Sequence, residues 1–312
     1  MVLDGRCRWW RGFIINLQWA FEDVRIFKFQ FKMQLKNEYI QVEISTLGAE
    51  LQSIKSISTN KEYLWQADPE VWPRHAPLLF PIVGRLKEDT YKIGDESHSL
   101  GQHGFARSLE FDVVKWNPTE IIFSLKSSPE TFQSYPYHFD FRVGYKLEGN
   151  AMIQSFEVIN TDDQTIPFSF GAHPAFIADP IDAHYIEFEH EESQQSVIID
   201  DGIRTNNTKP VFDKNRIQLT QSIFDEDALI FSNLNSKSVT LRTSNNERLV
   251  EVRFEGFPFL GIWAKPKANY VCIEPWCGIA DHKDHNQNIF EKEGIMVLEP
   301  QGRKKCQIVL SF

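Results

Sequence analysis

The sequence predicts an all-β protein, a large antiparallel β-sandwich, on three observations. Apolar residues recur with a period of two, turn residues separate the alternating runs, and no stretch carries a long, capped helical period. Ile40, Val42 and Ile44 alternate with Gln41 and Glu43, as on a half-buried strand. Phe141, Val143, Tyr145 and Leu147 repeat the alternation, and after Gly149-Asn150 it resumes at Phe156 and Val158, which predicts a hairpin. A second hairpin is predicted from Val239, Leu241 and Thr243 through Asn245-Asn246 to Val250, Val252 and Phe254. Later strands are expected over Phe259 to Ala264, Tyr270 to Ile273, Ile295 to Leu298 and Gln307 to Phe312. Prolines are scattered, and no linker or internal repeat divides the chain.

The first 32 residues read differently. Arg6, Arg8 and Arg11 precede an apolar run, Phe13 to Phe21, that is too short to span a bilayer and is followed by Glu22 and Asp23. Residues 1–32 are therefore expected to be an extension outside the domain, and 33–312 the functional domain.

Composition excludes several classes of function. A net charge of −10 opposes nucleic-acid binding, which needs a basic face. The cysteines Cys7, Cys272, Cys277 and Cys306 are too few for a disulfide framework in a chain of 312 residues. Cys272 and Cys277 lack a second pair at zinc spacing. Reduced thiols, a cytoplasmic location and no membrane contact follow as expectations, with the oligomeric state open. The 25 Phe and 8 Trp fit a β-rich core or stacking surfaces for a flat ligand, and composition does not choose.

Four segments place ionisable residues among apolar or small neighbours. Arg85 ends Leu79-Phe80-Pro81-Ile82-Val83-Gly84, where it is either a surface cation or a ligand contact. His103 stands between Gln102 and Gly104, where small neighbours allow close approach. His173 sits in Gly171-Ala172-His173-Pro174, and such a histidine is often only a core residue. Glu274 ends the apolar run Val271-Cys272-Ile273, where burial raises a carboxyl pKa and costs stability unless function retains it. Pro275 keeps Glu274 extended and Trp276 adds an aromatic face. One Glu, two His and an Arg suit general acid–base chemistry without a covalent intermediate, and no cofactor is required.

These segments, with Trp72, the run Pro77 to Arg85, His103 to Arg107, Gly171 to Phe176, Glu274 to Trp276, Gly278 and Asp281, resemble the aldose 1-epimerase family. The resemblance runs from about Met33 to Phe312 and is nearest to its LacX-like branch, related to galactose mutarotase. It implies a galactose mutarotase-like sandwich (a supersandwich) and an isomerase of carbohydrate metabolism that interconverts the α and β anomers of an aldohexose. By the same resemblance Glu274 is the general base, His173 the general acid and His103 a second, sugar-orienting histidine. Arg85 and Asp227 are implied to bind the substrate, with Asp225 as the alternate to Asp227, and Trp276 offers a face to the sugar ring. The Pro-Trp after Glu274 departs from better-known galactose mutarotases and leaves the preferred sugar open.

The expected pocket gathers Arg85, His103, His173 and Glu274, with His173 and Glu274 flanking a ring-wide cavity and not touching across a filled core. A bell-shaped pH profile is expected, its acid limb from the Glu and its alkaline limb from the His. Two rivals stand beside this reading. A glucose-6-phosphate 1-epimerase needs a cationic pocket, for which Arg74, Lys87 and Arg107 are available. A carbohydrate-binding or sensing protein would keep the cleft without turnover. Asp281-His282-Lys283-Asp284-His285 has metal-like spacing, but a hydrated polar loop is the expectation, and no metal is assigned.

Overall fold

A computed structural model describes residues 32–312, so the expectations for residues 1–31, Cys7 among them, lie outside the described residues. The first strand, Lys32–Lys36, begins one residue before the boundary expected from the hydrophobic pattern. It is the edge of a three-stranded antiparallel sheet completed by Ile40–Ser45 and Leu51–Ser56. Two larger sheets, of nine and eight strands, dominate the molecule, and their ladders are antiparallel. The sandwich is as predicted.

Both predicted hairpins form. Phe139–Glu148 pairs with Ala151–Asn160 across Gly149-Asn150, and Ser238–Thr243 pairs with Arg248–Arg253. The alternation works as a half-buried surface requires. Phe139, Phe141, Val143 and Tyr145 face inward with Phe156 and Val158 from the partner strand. Phe156 stacks on Phe170 of the eight-stranded sheet at 5.4 Å, and Phe141 stacks on Phe80 at 4.4 Å. Such ring pairs join the layers and add to what area burial alone provides. Among the described residues one short α-helix occurs, Pro129–Phe132, closed by a Ser128–Thr131 capping box. No helix among them is long and apolar enough to cross a membrane.

Two predicted boundaries move. The strand expected to stop at Ile273 continues to Cys277, and the last strand begins at Arg303 instead of Gln307. Pro275 hid the first extension, because proline interrupts a strand pattern by removing a ladder donor. Here Ile273 N donates toward Pro174 O, so two residues on, the missing donor of Pro275 faces the same side. There the partner backbone breaks between strands Phe170–Ala172 and Ala175–Ile177. Little is lost at that position.

A chain starting at Met33 is expected to fold and to keep its activity. It loses from the described fold only the edge residue Lys32, whose 3.9 Å ion pair with Glu43 is solvent-exposed. Such pairs contribute little, so the thermal midpoint should move by no more than about 2 °C. Thermal denaturation of the two chains side by side checks this. A larger fall would place residues 1–32 in the fold.

Candidate active site

Two strand fragments facing one strand create the centre of the site. Gly171 is registered with Trp276, and Ala175 with Cys272, so His173, midway between, stands opposite Glu274. Cross-strand neighbours project to one face of a sheet a few ångströms apart. His173 Nε2 accordingly lies 3.1 Å from Glu274 Oε2. The contact is at ion-pair distance but is not aligned as a hydrogen bond, and Glu274 Oε2 and His173 Nδ1 have no hydrogen-bond partner among the described residues. The two were expected to flank a cavity and not to touch across a filled core. They touch, on one face, at the floor of an open cavity of about 320 Å³.

Glu274, Trp276, Asp227 and His103 line this cavity with His173. His103 adopts a left-handed backbone (φ 65°), and so does Asp227 (φ 73°), at a cost of about 1–3 kcal/mol each for a residue with a Cβ. Surrounding bonds hold the first in place. His103 N donates to Gly84 O, and Gly84 N donates to His103 Nδ1 at 3.1 Å. Because Nδ1 accepts, the neutral ring carries its proton on Nε2. The next residue, Gly104, must be glycine: it too is left-handed, and a Cβ there would meet Phe80 O at 2.3 Å. Asp227 Oδ1 accepts from Ala228 N at 2.7 Å. Asp225 is exposed and does not line the cavity, so the geometry favours Asp227 of the two.

Arg85 is not brought to the cavity, which corrects its expected place. Its guanidinium forms two bonds of 2.9 Å to Asp89 and a third contact, at 2.8 Å, to Asp201. These carboxylates push its pKa up, the Asp89 hydrogen bonds most. The side chain lies behind the wall residue Gly202. Arg74 and Arg107 line the cavity instead. Among the described residues no carboxylate lies within ion-pair distance of either guanidinium, and Arg107 donates to Gln102 O. Burial, then repulsion from Arg74, pulls the Arg107 pKa down to about 10. The third cation considered for a phosphate, Lys87, binds His285 O outside the cavity.

Aromatic residues complete the walls. Trp72 stacks on His173 with 5.2 Å between centroids, and Trp263 meets its edge at 5.9 Å. The Trp276 indole lies over Gly171 and Gly261, where a Cβ would approach it to 2.7 and 2.6 Å. The composition question thus resolves by residue type. Phenylalanines such as Phe80, Phe141 and Phe170 are fully buried in the core, whereas Trp72, Trp263 and Trp276 line the cavity. Trp263 is a cavity residue that the sequence did not single out, whereas Arg74 and Arg107 were expected only as cations available for a phosphate.

Burial sets the electrostatics. It raises the Glu274 pKa well above the ordinary carboxylate range, and the charge of Asp227 adds to this. Burial first, with repulsion from Arg107 and Arg74, lowers His173 to about 3, and burial takes His103 well below the usual range. Burial therefore favours the neutral form of Glu274 and of both histidines.

Among the described residues, one set of potential metal ligands sits at this floor. His173, Cys272 and Glu274 offer donor atoms within 4.8 Å of one another. Burial holds the Cys272 thiol protonated, with Glu274 adding to the effect. The Asp281-to-His285 segment does not converge in this way. Asp281 turns inward to Lys292, while His282 bonds Asn206.

Comparison with known proteins places this geometry. Residues 32–309 match the family model described as aldose 1-epimerase. Chromosomal Protein LacX of Lactococcus lactis subsp. lactis is 34% identical over 289 residues, covering 88% of this chain and 96% of that one. Among solved structures, a galactose mutarotase related enzyme from Lactobacillus acidophilus is 37% identical with a TM-score of 0.86, covering 90% and 97% of the two chains. A galactose mutarotase-like protein from Lactobacillus casei is 27% identical with a TM-score of 0.85, covering 90% and 99%.

Proposed function

The chain belongs to the aldose 1-epimerase family, and from that premise we propose that it is a mutarotase exchanging the α and β anomers of an aldose by acid–base ring opening. The observation that carries this reading is the buried Glu274–His173 contact, 3.1 Å long, at the floor of a tryptophan-walled cavity. Ring opening needs a proton removed from the anomeric hydroxyl and a proton delivered to the ring oxygen. A pair that holds one proton between a carboxyl and an imidazole does both. Transfer across the contact places that proton on His173, leaving Glu274 as the carboxylate base. Trp72, stacked on His173, stabilises the imidazolium while it exists.

In the proposed sequence Glu274 takes the anomeric proton as His173 protonates the ring oxygen and the C–O bond breaks. The aldehyde rotates about C1–C2 and recloses on its other face with the roles reversed. His103 donates from Nε2 to a sugar oxygen, the free oxygen of Asp227 accepts from a hydroxyl, and Trp276 covers an apolar ring face. The reading makes the chain an isomerase that needs no cofactor, with a cytoplasmic location. Its test is polarimetry or saturation-transfer NMR of anomer exchange over a panel of free and phosphorylated aldoses. Binding of one sugar without faster exchange of any would replace it by the sensing role.

A second reading is supported by Arg74 and Arg107. Two cavity arginines without carboxylate partners among the described residues suit an aldose phosphate better than a neutral sugar. On this reading Arg107→Ala is expected to lower kcat/KM for an aldose 6-phosphate about 10–100-fold, the effect of losing one charge-assisted contact. Free aldoses should change by less than about 3-fold. Steady-state rates on the matched pair of substrates check it, and equal losses on both would remove the phosphate reading.

A further inference from the structure

Two thiols outside the sugar cavity meet between the sheets. Cys277 ends the strand Tyr270–Cys277, on which Cys272, Glu274 and Trp276 occupy the cavity face. By alternation Cys277 projects the opposite way, toward the nine-stranded sheet. Cys306 lies on that sheet, in Arg303–Ser311, on the same face as the buried Ile308 and Leu310. Both sulfurs converge on one acceptor. Cys277 Sγ is 3.7 Å and Cys306 Sγ 3.9 Å from Gly256 O, so the two thiols are neighbours around one carbonyl.

Their surroundings divide the roles. Cys277 is buried, whereas Cys306 is part-exposed in a groove of about 650 Å³ that it shares with Lys304 and Lys305. The neighbouring Cys277 thiol first, and then the charge of Lys304, pulls Cys306 down to about 7, while Cys277 is pushed up. An accessible, thiolate-forming cysteine beside a protonated one is the arrangement of an attacking and a resolving thiol. Cys272, fully buried on the other face, does not share it.

We propose that Cys277 and Cys306 form a peroxide-reactive dithiol that closes to a disulfide joining the two sheets. The Cys306 thiolate attacks one oxygen of hydrogen peroxide. The S–O bond forms as the O–O bond breaks, giving a sulfenic acid and a hydroxide that becomes water. The Cys277 sulfur then attacks Cys306 Sγ and expels the hydroxyl, which leaves as a second water with the Cys277 proton. Two thiols lose two electrons in all, and one peroxide gains them.

The test is intact-mass analysis and peptide mapping of the full chain after treatment with equimolar hydrogen peroxide. The mass is expected to fall by about 2 Da, two titratable thiols to disappear, and dithiothreitol to restore both. The map should join the Cys277 and Cys306 peptides. In Cys277→Ser the reaction should stop at the sulfenic acid, a gain of about 16 Da that dimedone captures on Cys306. In Cys306→Ser neither product should form. Oxidation of wild-type Cys306 to sulfinic acid without a cross-link, a bridge to Cys7 or Cys272, or no reaction would each overturn the proposal.

Discussion

Glu274→Gln is expected to lower catalysed anomer exchange by about 10²–10⁴-fold while raising thermal stability. Gln keeps the size and one acceptor oxygen but neither holds nor takes the proton that the reaction moves. Stability changes in the other direction because burial raises the Glu274 pKa. Between the ordinary carboxylate pKa and the native value, the unfolded chain releases a proton that the folded chain still holds. Wild-type stability therefore falls as pH rises through that window, and the variant lacks this loss. Its advantage should be absent at acid pH and grow upward from about pH 4.3. His173 contributes the opposite sign. With its pKa lowered to about 3, it costs stability as pH falls from the usual imidazole range toward that value. Polarimetry and pH-dependent thermal melts on the same samples check both effects. An active variant removes Glu274 from the reaction, and a less stable one shows that its carboxyl is satisfied in ways the fold does not display.

The pH profile of kcat/KM changes assignment for the same reason. On the proposed mechanism the pair works with one proton, so activity should end when a second is added or the only one is lost, and both limbs should belong to the pair. With His173 lowered and Glu274 raised, the added proton is expected on His173 and the lost one from Glu274. This reverses the limbs expected from ordinary side-chain pKa values.

Lys292→Met is expected to destabilise the protein by about 3–5 kcal/mol, because it leaves Asp281 charged and buried without its partner. The two side chains, each about 1% exposed, lie 2.7 Å apart, and Lys292 Nζ also donates to Ile279 O. Asp281 Oδ2 accepts from Lys87 N, and Arg204 anchors Ala280 through a 2.7 Å bond to its carbonyl. These contacts hold Ala280, a cavity-wall residue, against Gly84. The midpoint of thermal unfolding should fall by about 5–10 °C, and the double variant Lys292→Met/Asp281→Asn should recover part of that loss. A shift under 2 °C, roughly one kcal/mol or less at this size, would mean that water reaches the carboxylate.

Much of the fold was legible because a strand's period of two survives any change of neighbour, and Gly149-Asn150 marks its own turn. His103, His173 and Glu274 were legible as ionisable residues in apolar or small-residue settings. Their contacts were not, since the register that sets His173 opposite Glu274 is fixed by Gly171 and Ala175 on two separate strands. Arg85 misled for a similar reason. A sequence displays the arginine but not the folding that brings Asp201 to it across 116 residues. Cys277 and Cys306 likewise meet only because two sheets stack. Charge compensation and layer-to-layer contact are tertiary facts with no local pattern.

The indole of Trp276 resting over Gly171 and Gly261 has an evolutionary consequence. A methyl at either glycine intrudes on the ring, and with sheet backbone beneath, relief lies toward the cavity. One-step mutations at these positions can thus make the site shallower and reject bulkier ligands, but they cannot deepen it. Deepening at this wall requires changing Trp276 itself, which belongs to a buried cluster with Leu79, Ile230 and Phe259. Single substitutions at these two glycines should therefore narrow the range of ligands and not widen it.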